Sequence, residues 1–429
     1  MADSLTVFDR PQQSDLDRCV HCGLCLNACP TYRELGVEMD SPRGRIYQMV
    51  QVAAGRIPVS DTYHQHIDLC LACRACETAC PSGVEYGKLV EAARAHIEEV
   101  RPRPLLERLA RRLVYGHLLV SPAWMKLAGN LAALYQWSGL RRLVRAGRIL
   151  RPFGNLERLE RLLPPAERPF FFDQIGRTFP ARGERRGRVA FVAGCLANVS
   201  FSRLNEATVR VLQHNGWEVH LPAGQGCCGA LHVHAGLRDL GRVLARRNIE
   251  VFEKGGCDAI LTNAAGCGST LKEYGELLEH DPAWAPRARA FAARVQDVTE
   301  FLASIELNRD MAPLDITVTY QDSCHLAHGQ RVRLPPRQLL GSIPGLQFRE
   351  LPLADLCCGS AGVYNVQHLD MSMRLLEKKM QMAASTGAGV IATANPGCML
   401  QLRAGAELFG RHQRVLHVVE LLDEAYGKK

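Results

Sequence analysis

CVHCGLCLNACP at residues 19–30 and CLACRACETACP at residues 70–81 each fit C-x2-C-x2-C-x3-C-P at every position. Each run crowds four thiols into eleven residues. Structural zinc usually takes two C-x2-C pairs across a longer loop, so this crowding points to iron–sulfur clusters. In such a run the first three cysteines wrap one face of a cubane, and the fourth, on the following helix, reaches the other cluster. The pattern predicts one [4Fe–4S] cluster on Cys19, Cys22, Cys25 and Cys80, and a second on Cys70, Cys73, Cys76 and Cys29. Pro30 and Pro81 turn the chain away after the fourth thiol. Gly23 and Ala72 are small, so backbone N–H groups can approach the cluster sulfurs and raise the potential. With a thiolate for every iron, the pair is a wire and not a catalyst.

Outward from these runs, the second half of the chain repeats itself. Cys195 recurs 129 residues later as Cys324, Cys227 and Cys228 recur 130 later as Cys357 and Cys358, and Cys267 recurs 131 later as Cys398. Each copy opens with a β-rich run, RVAFVAGC or ITVTYQDSC, passes through a CCG turn, and closes on a buried-strand run, DAILTNAAGC or GVIATANPGC. Strands alternating with helices at this spacing predict βαβ units on a parallel sheet, with ligands at the strand carboxyl ends. The fold class expected is α+β or α/β. A small helical two-cluster ferredoxin-like domain occupies 1–100, a basic helical segment 101–185, and two duplicated α/β lobes 186–305 and 306–429. Each lobe gathers four soft ligands: Cys195, Cys227, Cys228 and Cys267, then Cys324, Cys357, Cys358 and Cys398. These could hold a cubane, a smaller cluster or zinc, or stand as buried thiols. His232, His234, His325 and His328 lie beside them and read as supporting donors or packed residues. Cys257 has no counterpart in the second copy and reads as an ordinary buried thiol.

The chain has 429 residues, 47% of them hydrophobic and 22% charged, enough for a packed core and two to three domains. Its 17 cysteines are too many and too odd for a fully paired disulfide scaffold. The opening MADSLTVFDR carries acids and no apolar h-region, so a reducing, cytoplasmic compartment is expected. Most of the net charge of +8 sits between Arg101 and Arg161, where 13 Lys and Arg face 3 Asp and Glu. Leucines recur there at helical spacing with arginines opposite, and Trp124, Tyr135 and Trp137 add interfacial anchors. Either this segment packs as ordinary amphipathic helices, or it lies on an anionic membrane surface. Pro122 and Lys126 argue against a spanning helix.

CxxCGxCxxxCPTYRxLGxExDSPRGRIYxM at 19–49, CxxCxxCxxxCPSGVxYG at 70–87 and the two CCG lobes together resemble the iron–sulfur subunit of bacterial glycolate oxidase (glycolate dehydrogenase). The resemblance spans nearly the whole chain and is weakest over 101–185. PTYRELGVEMDSPRGRIYQM is its most specific part. The resemblance implies an oxidoreductase complex acting on glycolate or another 2-hydroxy acid. FAD would sit on partner dehydrogenase subunits, and this chain would pass electrons from that FAD towards quinone. It would be cytoplasmic or peripheral on the inner face of the cytoplasmic membrane, with no nucleic acid partner. No P-loop occurs in the chain, and its one G-x-G-x-x-G match, Gly224 to Gly229, is the stretch that carries the first CCG turn.

Glycerol-3-phosphate dehydrogenase small subunits and heterodisulfide reductase subunits are similar in layout. They offer the alternative of a reductase whose lobes perform thiol–disulfide or cluster-based substrate chemistry. Lobes of heterodisulfide reductase end in CxxC, whereas here Thr270 and Gln401 stand at the fifth-thiol positions. Within DSPRGR, Asp40 or Ser41 is expected to cap a helix with Pro42 at its first position, and Arg43 and Arg45 to pair with anionic cluster surroundings.

Overall fold

The computed structural model describes residues 9–147, 149–409 and 412–427. All of the opening stretch except Asp9 and Arg10 lies outside the described residues, as does Arg148 of the basic segment.

The first hundred residues are helical. Helices Pro30–Leu35, Pro42–Ala53, Asp61–Asp68 and Tyr86–Val100 close around Leu16, Ile46, Met49, Ile67, Leu89 and Val90. Ser41 caps the second of these: its hydroxyl accepts from the Gly44 amide at 3.0 Å, with Pro42 at the first helical position. Helices Leu105–Arg111, Pro122–Trp137, Leu140–Ala146 and Leu156–Arg161 follow, the first continuing into a π-helical turn at Arg112–Leu118.

The segment expected to be helical as far as 185 also contributes a strand. β1 (Thr178–Phe179) pairs antiparallel with β3 (Trp217–His220) at the edge of the first sheet. With β2 (Gly187–Val192), β4 (Ala259–Thr262) and β5 (Val295–Asp297), the order is β1-β3-β2-β4-β5, parallel apart from β1. The second sheet comprises β6 (Thr317–Tyr320), β7 (Gln347–Glu350), β8 (Val390–Thr393) and β9 (Arg414–His417), ordered β7-β6-β8-β9 and fully parallel. Setting β1 aside, the two topologies coincide. β4 and β8 are buried along their whole length, as the continuous apolar runs require.

The two lobes share one core. Phe191, Val211 and Leu212 of the first pack in one cluster with Leu340, Leu421 and Leu422 of the second. Arg210 on helix Ser202–His214 pairs with Asp423 on the C-terminal helix Val418–Gly427 at 2.7 Å.

Candidate metal centres

The two cysteine runs fold around two adjoining cavities. Cys19, Cys22, Cys25 and Cys80 line the first, of about 400 Å³ including its open mouth. Cys29, Cys70, Cys73 and Cys76 line the second, of about 290 Å³. Cys76, Pro42 and Tyr86 border both, so the cavities are neighbours. The fourth cysteine of each run thus faces the cavity lined by the other run.

The backbone repeats as well. Residues either side of the second cysteine are left-handed in both runs: His21 (φ 53°) and Gly23 (φ 83°), then Ala72 (φ 49°) and Arg74 (φ 62°). Three of the four are not glycine, so the loop holds them there against their steric preference. Amides point at sulfur: Ala72 donates to Cys70 at 3.4 Å and Val84 to Cys80 at 3.5 Å.

Burial pushes the Cys25 thiol up to about 11 and raises Cys73 and Cys76 well above the usual thiol range. Such thiols become thiolates only against a strong local cation, as metal binding provides. Among the described residues no three His, Cys, Asp or Glu side chains close on a point that would hold a single metal ion. Sulfurs ranged around a cavity fit a polynuclear iron–sulfur group better than one zinc ion.

Each cavity has its arginine. Arg43 lines the first, held by Glu38 at 2.7 Å and donating to the His21 carbonyl at 3.3 Å. Arg45 is fully buried at the second, where it donates to the His66 carbonyl, the Thr31 hydroxyl and the Cys29 sulfur. Arg74, between Cys73 and Cys76, ties this domain to the first lobe through Glu273 and Ser269.

In the lobes, Cys195 and Cys324 follow β2 and β6, while Cys267 and Cys398 lie in the first turns of helices Ala265–Lys272 and Pro396–Leu408. The thiols touch in sequence, Cys195–Cys227–Cys228–Cys267 and Cys324–Cys357–Cys358–Cys398. Hydrogen bonding to the neighbouring thiol, then burial, raises Cys195 and Cys398. The glycine of each CCG is left-handed and its amide donates to the first cysteine of the pair at 3.4 Å: Gly229 to Cys227 and Gly359 to Cys357. A Cβ on Gly359 would stand 2.6 Å from the Ser372 carbonyl oxygen.

The two quartets differ in setting. The second abuts the N-terminal domain: Cys324 and Cys357 pack with Leu71, Cys73 and Tyr364 in one cluster. Beneath it lies Lys379, 2% exposed, donating to the carbonyls of Leu353 and Ala354. The corresponding place in the first lobe holds neutral Asn248, which donates to the Cys227 carbonyl at 2.9 Å. The first quartet looks instead onto the middle segment, Cys195 packing against the cluster of Met125, Ala133 and Phe170.

None of the four nearby histidines joins a quartet. His232 bonds the Tyr115 carbonyl, His234 bonds Glu91, His328 bridges Thr78 and the Asp355 carbonyl, and His325 packs on His234 at 5.1 Å. They bind the domains to one another. Burial lowers His325 to about 3, so it is neutral. Cys257 is buried in the core of the first lobe, where its thiol donates to the Gly255 carbonyl at 3.4 Å.

A two-cavity ferredoxin-type domain joined to duplicated cysteine-rich lobes defines an iron–sulfur protein built for electron transfer. Comparison with known proteins agrees segment by segment. A 4Fe-4S dicluster domain matches residues 15–84, a cysteine-rich domain matches 189–272 and 318–403, and the linker region of the glycolate oxidase iron-sulfur subunit matches 106–163. The probable glycolate oxidase iron-sulfur subunit of Bacillus subtilis is 43% identical over 98% of this chain and 96% of its own length. The glycolate oxidase iron-sulfur subunit of Escherichia coli is 35% identical over 97% of this chain and 95% of its own length. A fumarate reductase (CoM/CoB) subunit of Methanothermobacter marburgensis is 36% identical, over 59% of this chain and 50% of its own length. The chain belongs to the family of glycolate oxidase iron–sulfur subunits.

Proposed function

We propose that this chain is the electron-transfer subunit of a glycolate (2-hydroxy-acid) dehydrogenase, taking electrons from FAD on partner subunits and passing them towards quinone. The observation that carries the reading is the pair of adjoining four-cysteine cavities, within a chain that matches glycolate oxidase iron–sulfur subunits from end to end. Cys19, Cys22, Cys25 and Cys80 would hold one [4Fe–4S] cluster, and Cys29, Cys70, Cys73 and Cys76 the other. Bound there, the clusters supply one-electron carriage. The protein keeps them adjacent, shields the second and places an arginine against each. Exposed Cys22 sets the first cavity at the surface, where a flavin partner can reach it. Cys73 brings the second against Cys324 and Cys357, so a further cluster or metal on the second lobe would continue the path.

The test is a complex purified without oxygen. Glycolate should reduce the partner's flavin in wild type and in Cys22→Ser alike, while quinone reduction fails in the variant, which also loses iron and acid-labile sulfide. Flavin reduction lost together with quinone reduction, or wild-type protein holding zinc without sulfide, would overturn the reading.

A further inference from the structure

The two lobes carry one thiol pattern in different surroundings, and the differences fall on matched positions. Lys379, on helix Leu369–Ser385, stands one repeat from Asn248, Asn395 one repeat from Ala264, and Ser323 one repeat from Gly194. In each pair the second lobe has the stronger or the only side-chain donor.

Lys379 is a buried cation. Its Nζ donates to the Leu353 carbonyl at 2.7 Å and the Ala354 carbonyl at 3.2 Å, in the loop that leads into the CCG turn. The anionic groups that face it are the sulfurs of Cys358, Cys324 and Cys357 and, more weakly, Asp355, which is itself paired with Arg333. A buried charge is costly unless an opposite charge answers it. The group that answers Lys379 is therefore the quartet, with its sulfurs as thiolates. The other two positions act on Cys398: Asn395 donates to its sulfur at 3.4 Å, and the Ser323 hydroxyl bonds it as well. Ala264 and Gly194 offer the first quartet no such side-chain donor. A thiolate-ligated cluster grows more negative on reduction, so a fixed cation and donors to its sulfurs favour the reduced state.

We propose that Lys379, aided by Asn395, sets the potential of an iron–sulfur cluster on Cys324, Cys357, Cys358 and Cys398, and so makes this quartet, not the first, the acceptor of electrons arriving past Cys73. Cys73 packs directly with Cys324 and Cys357, which places the acceptor next to its donor. Each transfer moves one electron, oxidising the neighbouring N-terminal cluster and reducing this one, with no bond made or broken. The inference rests on the electron-transfer reading above and adds which lobe takes the electron and what holds its potential up.

The test uses the full chain purified without oxygen, with iron and sulfide analysis and a redox titration followed by electron paramagnetic resonance. One signal should be lost in Cys358→Ser and kept in Cys228→Ser, which assigns it to the second lobe. Lys379→Gln leaves a donor for the loop carbonyls and removes the charge. It should keep that cluster and lower its equilibrium constant for reduction about tenfold, which is about 59 mV for one electron. Asn395→Ala should lower it about threefold, and provides the same reading if Lys379→Gln does not fold. Iron and sulfide in Cys358→Ser equal to wild type, a signal lost in Cys228→Ser instead, or potentials unchanged in Lys379→Gln or Asn395→Ala would overturn the inference and leave the two N-terminal clusters standing. Zinc without sulfide in wild type would sink the electron-transfer reading along with it.

Discussion

The Nη1 of Arg45 stands 4.0 Å from the Sγ of Cys29, and the arginine has no exposure to solvent. Its other nitrogens are spent on the His66 carbonyl at 2.6 Å and the Thr31 hydroxyl at 3.1 Å, with Asp40 at 3.6 Å. A fixed buried cation beside a cluster ligand favours the more reduced, more negative state. Arg45→Met should lower the potential of the cluster on Cys29, Cys70, Cys73 and Cys76. It should also destabilise the domain by about 1–3 kcal/mol, because the buried His66 carbonyl and Thr31 hydroxyl lose their donor while Asp40 keeps His66 at 2.8 Å. Arg45→Lys should restore part of the potential. Redox titration followed by electron paramagnetic resonance reads both variants, and an unchanged potential in Arg45→Met would refute the coupling.

The crossed placement of Cys29 and Cys80 gives a second prediction. Cys80→Ser should remove the cluster held by Cys19, and Cys29→Ser the one beside the second lobe. Each should leave a single magnetically isolated signal. Arg45→Met tells them apart: added to Cys80→Ser it should shift the potential of the remaining cluster, and added to Cys29→Ser it should leave it in place. The reverse pattern would mean that each run serves its own cluster.

Both cysteine runs and the lobe duplication were legible because their information is local: a spacing of thiols, a proline, a strand run before a cysteine. Ser41 and Pro42 followed from capping chemistry for the same reason. Arg45 was legible only as a candidate. Its burial depends on Thr31, Asp40 and His66 converging from three elements. Lys379 gave no signal, being one of two adjacent lysines on an amphipathic helix. Joints such as Arg74 with Glu273 and His234 with Glu91 join residues far apart in the chain, which no periodicity encodes. β1 was missed because two residues carry no alternation to read. The histidines were expected to be supporting donors or packed residues, and the contacts they make lie on the seam between domains.

That seam should titrate. Glu276 is pushed up to about 7, first by burial and then by Glu91 and Glu273 beside it, against the opposing pull of Arg238 and Lys88. A carboxyl whose pKa is raised by folding binds its proton more tightly in the native state. Its contribution is complete at acid pH, below the unfolded value, and is lost as pH rises towards 7. Glu276→Gln should remove this loss, flattening the fall in stability between about pH 4.5 and 7 by about 2 kcal/mol. Denaturant midpoints across that range check it, and a slope identical to wild type would contradict the assignment. Glu91 moves the opposite way, lowered by its bond to His234 against the cost of burial. Glu91→Gln should therefore destabilise the protein most at neutral pH and least in acid.

Gly129 decides how the middle segment sits on the first lobe. A Cβ at this position would stand 2.7 Å from Val199 Cγ1 and 2.9 Å from Phe170 Cζ, both buried, so neither can give way freely. Helix preference alone would make Gly129→Ala slightly favourable, by about 1 kcal/mol. The contact reverses that sign, because overpacking costs about 1–3 kcal/mol and grows with side-chain size. Gly129→Ala should therefore be neutral to destabilising and Gly129→Leu clearly destabilising. The loss should concentrate at the helix–lobe contact, since the atoms nearest a Cβ at Gly129 belong to Val199 and Phe170. Hydrogen exchange should show faster opening of 122–137 and of the Cys195 loop, with protection of 42–53 and 86–100 unchanged. Uniform loss of protection across the chain would mean that the helix is not a separable layer over the first quartet.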